Sequence, residues 1–132
     1  MRAYVEEQTA KLQRKLAKEV SRAVEDQGEE AIHDLRVAIR RLNRGLQVFS
    51  KLFPKRPRKE ARSRLHELMD AAGEVRDRDI AAELLKNAGV KPDSPVLHHL
   101  ARERLAASEK LATMLRQWKE PDIEPRPSGS GG

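Results

Sequence analysis

The sequence predicts an all-α protein, an antiparallel bundle of four to five helices, and three observations carry that prediction. Ala, Leu, Glu, Lys and Arg dominate, while aromatics make up 3% of the 132 residues, a balance suited to helices rather than sheets. Apolar residues recur every three or four positions over long stretches, with few β-branched alternations. Gly28, Pro54, Gly73 and Gly89 divide the chain into segments of helical length.

The first helix is expected from about Ala3 to Asp26. Val5, Thr9, Leu12, Leu16, Val20, Ala23 and Val24 give it a continuous apolar seam. Lys11, Lys15, Lys18 and Arg22 share another face. Gln27 and Gly28 supply the break, since glycine sits comfortably just past a helix end. The second helix starts near Glu29 or Glu30 and stops before Pro54, because a residue preceding proline is pushed out of the α region. The connector that follows, LFPKRPRKE, carries Lys55, Arg56, Arg58 and Lys59, either as a solvated turn or as a flexible basic extension. A third helix is expected from about Arg58 to Ala72, with Ala61, Leu65, Leu68 and Met69 on its apolar side. Gly73 interrupts it, and Arg76-Asp77-Arg78-Asp79 reads as a turn in which Asp77 caps the next helix and local ion pairs form. Ser94 caps the last helix and Pro95 occupies its first position. Its long apolar seam, Val96 to Trp118, reads as packing alone. Residues 1–120 therefore form the helical domain, and residues 121–132, rich in Pro, Gly and Ser, have the composition of a disordered tail.

The net charge of +6 is unevenly placed: residues 29–60 hold nine bases and four acids, whereas residues 61–132 hold twelve of each. Such a basic patch on a balanced background points to an anionic partner. The second helix shows why. At about 100° per residue, His33, Arg36, Arg40 and Arg44 fall within roughly 80° of one another. Leu35, Ile39, Leu42, Leu46 and Phe49 fall opposite. Surface helices more often mix signs and gain from i,i+4 pairs, whereas like charges so spaced cost a similar amount. A row of arginines without interleaved acids suggests an anion that offsets the repulsion. The plainer alternative is a solvated face, which weighs more heavily for the first helix than for the second.

Catalysis is not expected. No glycine-rich phosphate loop, nucleophile elbow or HExxH string is present, so no catalytic residue, metal or cofactor is assigned. His33 lacks an evident carboxylate to orient it, since Asp34 points about 100° away. His98 and His99 are adjacent, not at the i,i+3 or i,i+4 spacing of helical metal ligands. Cysteine is absent, which removes disulfide and thiolate chemistry. No apolar run approaches the ~20 residues a membrane span needs, and a soluble, cytoplasmic protein is expected.

Two strings sharpen this. AIHDLRVAIRRLNRGLQVFSKLF resembles the signature of the CHAD family of histidine-bearing α-helical domains. LHELMDAAGEVRDRDIAAELL resembles that family's second hallmark, an Arg-Asp-x-Asp element after a glycine. Together they cover residues 31–85 in the family's order. The resemblance implies a bundle of long helices that binds inorganic polyphosphate through a basic surface, often alongside polyphosphate-related enzymes, and hence association with polyphosphate granules. It carries His33, Arg36, Arg40 and Arg41 over as signature basic residues, with Arg76, Asp77 and Asp79 in the second motif. The family usually has two similar helical halves, whereas each motif occurs once here, so the chain resembles one half: a truncated piece, a domain-sized fragment, or a natural half that pairs with a second copy as a homodimer.

The expected site thus comprises Lys11, Lys15, Lys18 and Arg22 on the first helix, His33, Arg36, Arg40, Arg41 and Arg44 on the second, and Arg76. Polyphosphate suits it: a charged chain without bases needs a row of cations on a rigid track, and Arg offers forked hydrogen bonds to phosphate oxygens. Binders of single-stranded nucleic acid usually stack bases on aromatics, and only four aromatic residues are present. A nucleic-acid-binding helical module is the runner-up, and a structural bundle with a solvated basic face is the third reading.

Overall fold

The computed structural model describes residues 1–125, which form four helices: α1 (Arg2–Glu25), α2 (Glu29–Val48), α3 (Lys55–Asn87) and α4 (Pro95–Arg116), with one 3₁₀ turn at Ser50–Leu52. There is no strand among the described residues. Each helix packs antiparallel on its sequence neighbour, and α4 closes the ring against α1. The shared core contains Val5, Leu16 and Val20 of α1, Leu35, Ile39 and Leu42 of α2, Leu65, Leu68 and Val75 of α3, and Leu111 and Leu115 of α4. Phe53, beyond the 3₁₀ turn, is buried in the same cluster.

Each turn of the chain has its own local cause. After α1, the Asp26 carboxylate accepts the Gly28 N–H at 2.9 Å. Gly28 itself has φ −64° and is the N-cap of α2, so the break does not come from a left-handed glycine but from the aspartate side chain. At Gly45 α2 passes close to an α1 side chain, since a Cβ there would stand 2.9 Å from Leu12 Cδ1. At the end of α3, Gly89 adopts φ +92°. The Val90 N–H donates to Leu85 O and the Gly89 N–H to Lys86 O, the paired bonds of a Schellman ending. Ser94 caps α4 by accepting the Leu97 N–H, with Pro95 in the first turn, as the sequence suggests.

Three expectations are overturned. The third helix does not stop at Ala72: α3 runs unbroken for 33 residues, through Gly73 and through Arg76-Asp77-Arg78-Asp79. Asp77 is therefore a mid-helix residue, not a cap. Glycine within a helix costs only about 1 kcal/mol relative to alanine, and Ala71, Ala72 and Val75, all buried around it, hold the helix in place. The basic residues Lys55, Arg56, Arg58 and Lys59 likewise belong to the first turns of α3 rather than to a flexible connector. Nor is α4 devoted to packing alone, since Val96 and Leu105 are exposed and Arg104 carries ion pairs.

The chain beyond α4 is not free at its start. Pro121, Ile123 and Pro125 are buried, and the Gln13 side chain on α1 donates to Pro121 O at 3.0 Å. Arg64 of α3 donates to Lys119 O and lies over the Trp118 ring, 4.8 Å from its centroid. The rest of the expected tail, 126–132, lies outside the described residues.

Candidate anion-binding site

The α1–α2 seam holds a groove of about 540 Å³. Lys11, Arg14, Lys15 and Lys18 line it from α1 and Arg41 from α2, and Leu12 and Ala38 give it an apolar floor. The apolar seam of α1 turns toward the bundle and leaves the lysine stripe beside α2. Antiparallel packing then sets Arg41 opposite that stripe. Lys15 is paired with Glu19 at 2.9 Å. Among the described residues, Lys11, Arg14, Lys18 and Arg41 have no carboxylate within 4.0 Å.

His33, Arg40 and Arg44 are exposed on the outer side of α2. Arg36 is half-buried, and its Nε is buried without a hydrogen-bond partner among the described residues. Arg76 is half-buried on α3 and does not reach the α1–α2 groove. It shares a side of α3 with Arg62, four turns away, and Arg62 donates to Asn43 of α2 at 3.1 Å. That side of α3 therefore flanks α2 on the flank opposite α1.

Arg22 departs from the other members of the α1 stripe. Its guanidinium donates to Asp34 Oδ2 at 2.7 Å and lies 3.6 Å from Glu19 and 3.9 Å from Glu30. The hydrogen bond from Arg22, then that from His33, hold the Asp34 carboxyl below the usual carboxylate range, and the same bond to Asp34 raises Arg22. Glu19, which is 2% exposed, Glu30 and Asp34 thus enclose the Arg22 guanidinium one turn beyond Lys18. His33 is also not without a carboxylate: its Nδ1 stands 3.2 Å from Asp34 Oδ1. Angular separation on the helical wheel does not prevent adjacent side chains from meeting at their tips.

The second motif serves the opposite seam. Arg104 of α4 donates to Asp79 Oδ1 at 2.6 Å and Oδ2 at 3.3 Å, and also to Gln27 O in the α1–α2 turn at 2.6 Å. Arg104 thereby ties α3, α4 and the first turn together at one end of the bundle. Arg78 lies 3.5 Å from Glu103. The local ion pairs expected for this quartet are replaced by bonds to a helix 25 residues away.

Sequence reasoning passed over two basic residues. Arg14 sits about 60° off the lysine stripe, yet its long side chain reaches the groove. Arg62 lies within the expected third helix, but its bond to Asn43 joins α3 to α2 across 19 residues, and helix periodicity does not report such a pairing. For Arg14 the available signal was an arginine one step off an already basic face.

Comparison with known proteins yields one finding. No curated protein and no solved structure matches the chain. A model of the CHAD domain matches residues 3–121, nearly all of the helical bundle and both motifs read from the sequence. The chain therefore belongs to the CHAD domain family.

Proposed function

We propose that this protein is a non-catalytic binder of inorganic polyphosphate, which lies along a basic face formed by α1 and α2. The observation that carries this reading is the set of cations lining the α1–α2 groove without carboxylate partners, continued on the outer side of α2 by His33, Arg40 and Arg44. Holding like charges together costs free energy that a bound polyanion returns. Arginines add forked hydrogen bonds to phosphate oxygens. Lys11, Lys15, Lys18, Arg41 and Arg14 make the groove contacts, and Arg36, Arg40, Arg44 and His33 the outer contacts. Arg22, bonded to Asp34, is assigned to the bundle rather than to the ligand, and Arg76 joins the anion-binding surface from α3, apart from the groove. The protein acts in the cytoplasm with polyphosphate granules, and a second copy supplies the face that a two-halved CHAD domain has within one chain. No helix is long and apolar enough to cross a membrane among the described residues.

The test is a titration with long-chain polyphosphate against duplex DNA and RNA at matched phosphate concentration. Polyphosphate is expected to win per phosphate, with affinity falling steeply as salt rises because counterion release drives binding. Equal or tighter DNA binding would establish the nucleic-acid reading instead. No polyanion binding at moderate salt would leave a structural bundle. Sedimentation with and without polyphosphate checks the dimer, and a monomer in both conditions excludes it. The polyphosphate recovered from the titration is expected at its original chain length, and shortening would reveal an enzyme.

A further inference from the structure

Tyr4 and Phe49, two of the four aromatic residues in the chain, meet between the start of α1 and the end of α2, one helical turn outside the lining of the basic groove. Their rings are 6.4 Å apart, edge to face at 80°. Tyr4 is 56% exposed and Val48, next to Phe49, is 66% exposed. Tyr4 lies one helical turn before Gln8, the groove-lining residue nearest the start of α1, and on the same face as Lys11, Lys15 and Lys18. The stripe along α1 therefore runs from an exposed aromatic ring, past a polar amide, into three lysines, and ends at Arg22, whose guanidinium is already bonded to Asp34. From Gln8 to Lys18 it measures ~15 Å at ~1.5 Å per residue.

Inorganic polyphosphate uses only part of such a surface. It has no group for an exposed ring or for the apolar floor of Leu12 and Ala38, and beyond Lys18 the next cation on the stripe, Arg22, is already paired with Asp34. A short phosphate chain with a flat, weakly polar end uses all of it. We infer that the α1–α2 groove binds nucleoside polyphosphates, with the base stacked on Tyr4 and the phosphates running along Lys11, Lys15 and Arg41 toward Lys18. This rests on the anion-binding reading of the groove and names a second ligand class for it. Stacking on a single ring tolerates any base, because every base presents a π-face. The site therefore takes purine nucleotides without discriminating between them, and Gln8 stands between ring and lysines at the level of the sugar.

Calorimetric titration of ATP, GTP and inorganic tripolyphosphate, without divalent metal and at one salt concentration, tests this. Tripolyphosphate carries at least as much charge as ATP, so electrostatics alone ranks it first. Stacking reverses the order: ATP and GTP are expected to bind about fivefold tighter than tripolyphosphate, the low end of what base–aromatic stacking contributes. Tyr4→Ala should remove that advantage and leave tripolyphosphate affinity unchanged. Tyr4→Phe should keep it. Tyr4 is the only tyrosine, so its ring proton resonances should shift with ATP and not with tripolyphosphate, a readout that needs no variant. Nucleotides binding no tighter than tripolyphosphate, or Tyr4→Ala weakening both equally, overturns the inference while polyphosphate binding stands. If neither tripolyphosphate nor long-chain polyphosphate binds, the anion-binding reading falls and this inference falls with it.

Discussion

Across the α3–α4 seam, basic side chains meet acids: Arg104 with Asp79 at 2.6 Å, Arg78 with Glu103 and Lys110 with Glu74 at 3.5 Å. Across the α1–α2 seam only Arg22 does so among the described residues, while Lys11, Lys18 and Arg41 border a groove without a carboxylate in reach. What lies beneath differs too. The α1–α2 seam covers a dense apolar layer, including Leu16, Val20, Ile32, Leu35 and Leu42, and brings Leu12 close to Gly45. Under the other seam α3 also buries an apolar face, from Ala61 to Val75, but α4 adds only Leu97, Ala107, Leu111 and Leu115. A seam that carries unpaired cations on its rim depends on apolar burial for cohesion. The other seam draws on ion pairs as well, and its charges are already satisfied when a polyanion arrives.

The comparison breaks most visibly at Leu42 of α2, which is fully buried in the core. Leu42→Ala should cost ~2–5 kcal/mol of stability in a denaturant titration, through lost transfer energy and the cavity left behind. A cost below ~1 kcal/mol would mean that apolar burial is not what holds the α1–α2 seam.

Next in size is Asp79→Ala. The Asp79 side chain is 10% exposed and that of Arg104 29% exposed, so the pair lies between surface and buried behaviour. Losing it should cost ~1–3 kcal/mol, below the full penalty of breaking a buried pair. Polyphosphate affinity should not change. A parallel loss of affinity in folded protein would show that the α3–α4 charges are not separate from the site.

Arg41→Ala should do the reverse. It removes one of the unpaired cations, so stability should stay within ~0.5 kcal/mol. Binding should weaken at every salt concentration, with the logarithmic salt slope falling by about one. Unchanged binding would exclude the groove and leave the outer side of α2 as the place to look.

These experiments concern partnerships between helices, and those were the least legible part of the sequence. The helix class and most boundaries were readable because they are local: period 3.6 in Val5–Val24, the Ser94–Pro95 start of α4, and the prolines after α2. The stripes of α1 and α2 were readable for the same reason. The course of α3 was misread at Gly73 because local propensity was allowed to end a helix whose flanking residues, Ala72 and Val75, are fully buried. Arg22 looked identical to Lys11, Lys15 and Lys18 on a wheel. Its bond to Asp34, twelve residues away, depends on how α1 and α2 pair in space. The bond from Arg104 to Asp79 spans 25 residues and was invisible for the same reason. A wheel separates core from solvent, but it does not say which helix stands beside it.

Asp34 gives the smallest and most pointed test, because it decides to which class Arg22 belongs. Bonding to Arg22 and His33 places the Asp34 carboxyl below the usual carboxylate range. A carboxyl depressed in the folded state contributes stability in full above its unfolded titration point, about 3.9 for aspartate, and loses that contribution as pH falls through the folded value. Asp34→Asn should therefore lower stability by a constant amount near neutral pH, and the difference from the parent should shrink toward zero in acid. At neutral pH the same substitution releases Arg22 from its shortest partner, one turn beyond Lys18 on the groove stripe. Glu19 and Glu30 still stand 3.6 and 3.9 Å away, so the release is partial. Polyphosphate affinity should rise slightly, and the salt slope should steepen by less than one. Equal affinity would mean that the two glutamates suffice to hold Arg22 in the bundle. A fall in affinity would assign Asp34 a different task, holding the His33 ring against the ligand, and would move the boundary between cohesion and binding one residue into the signature itself.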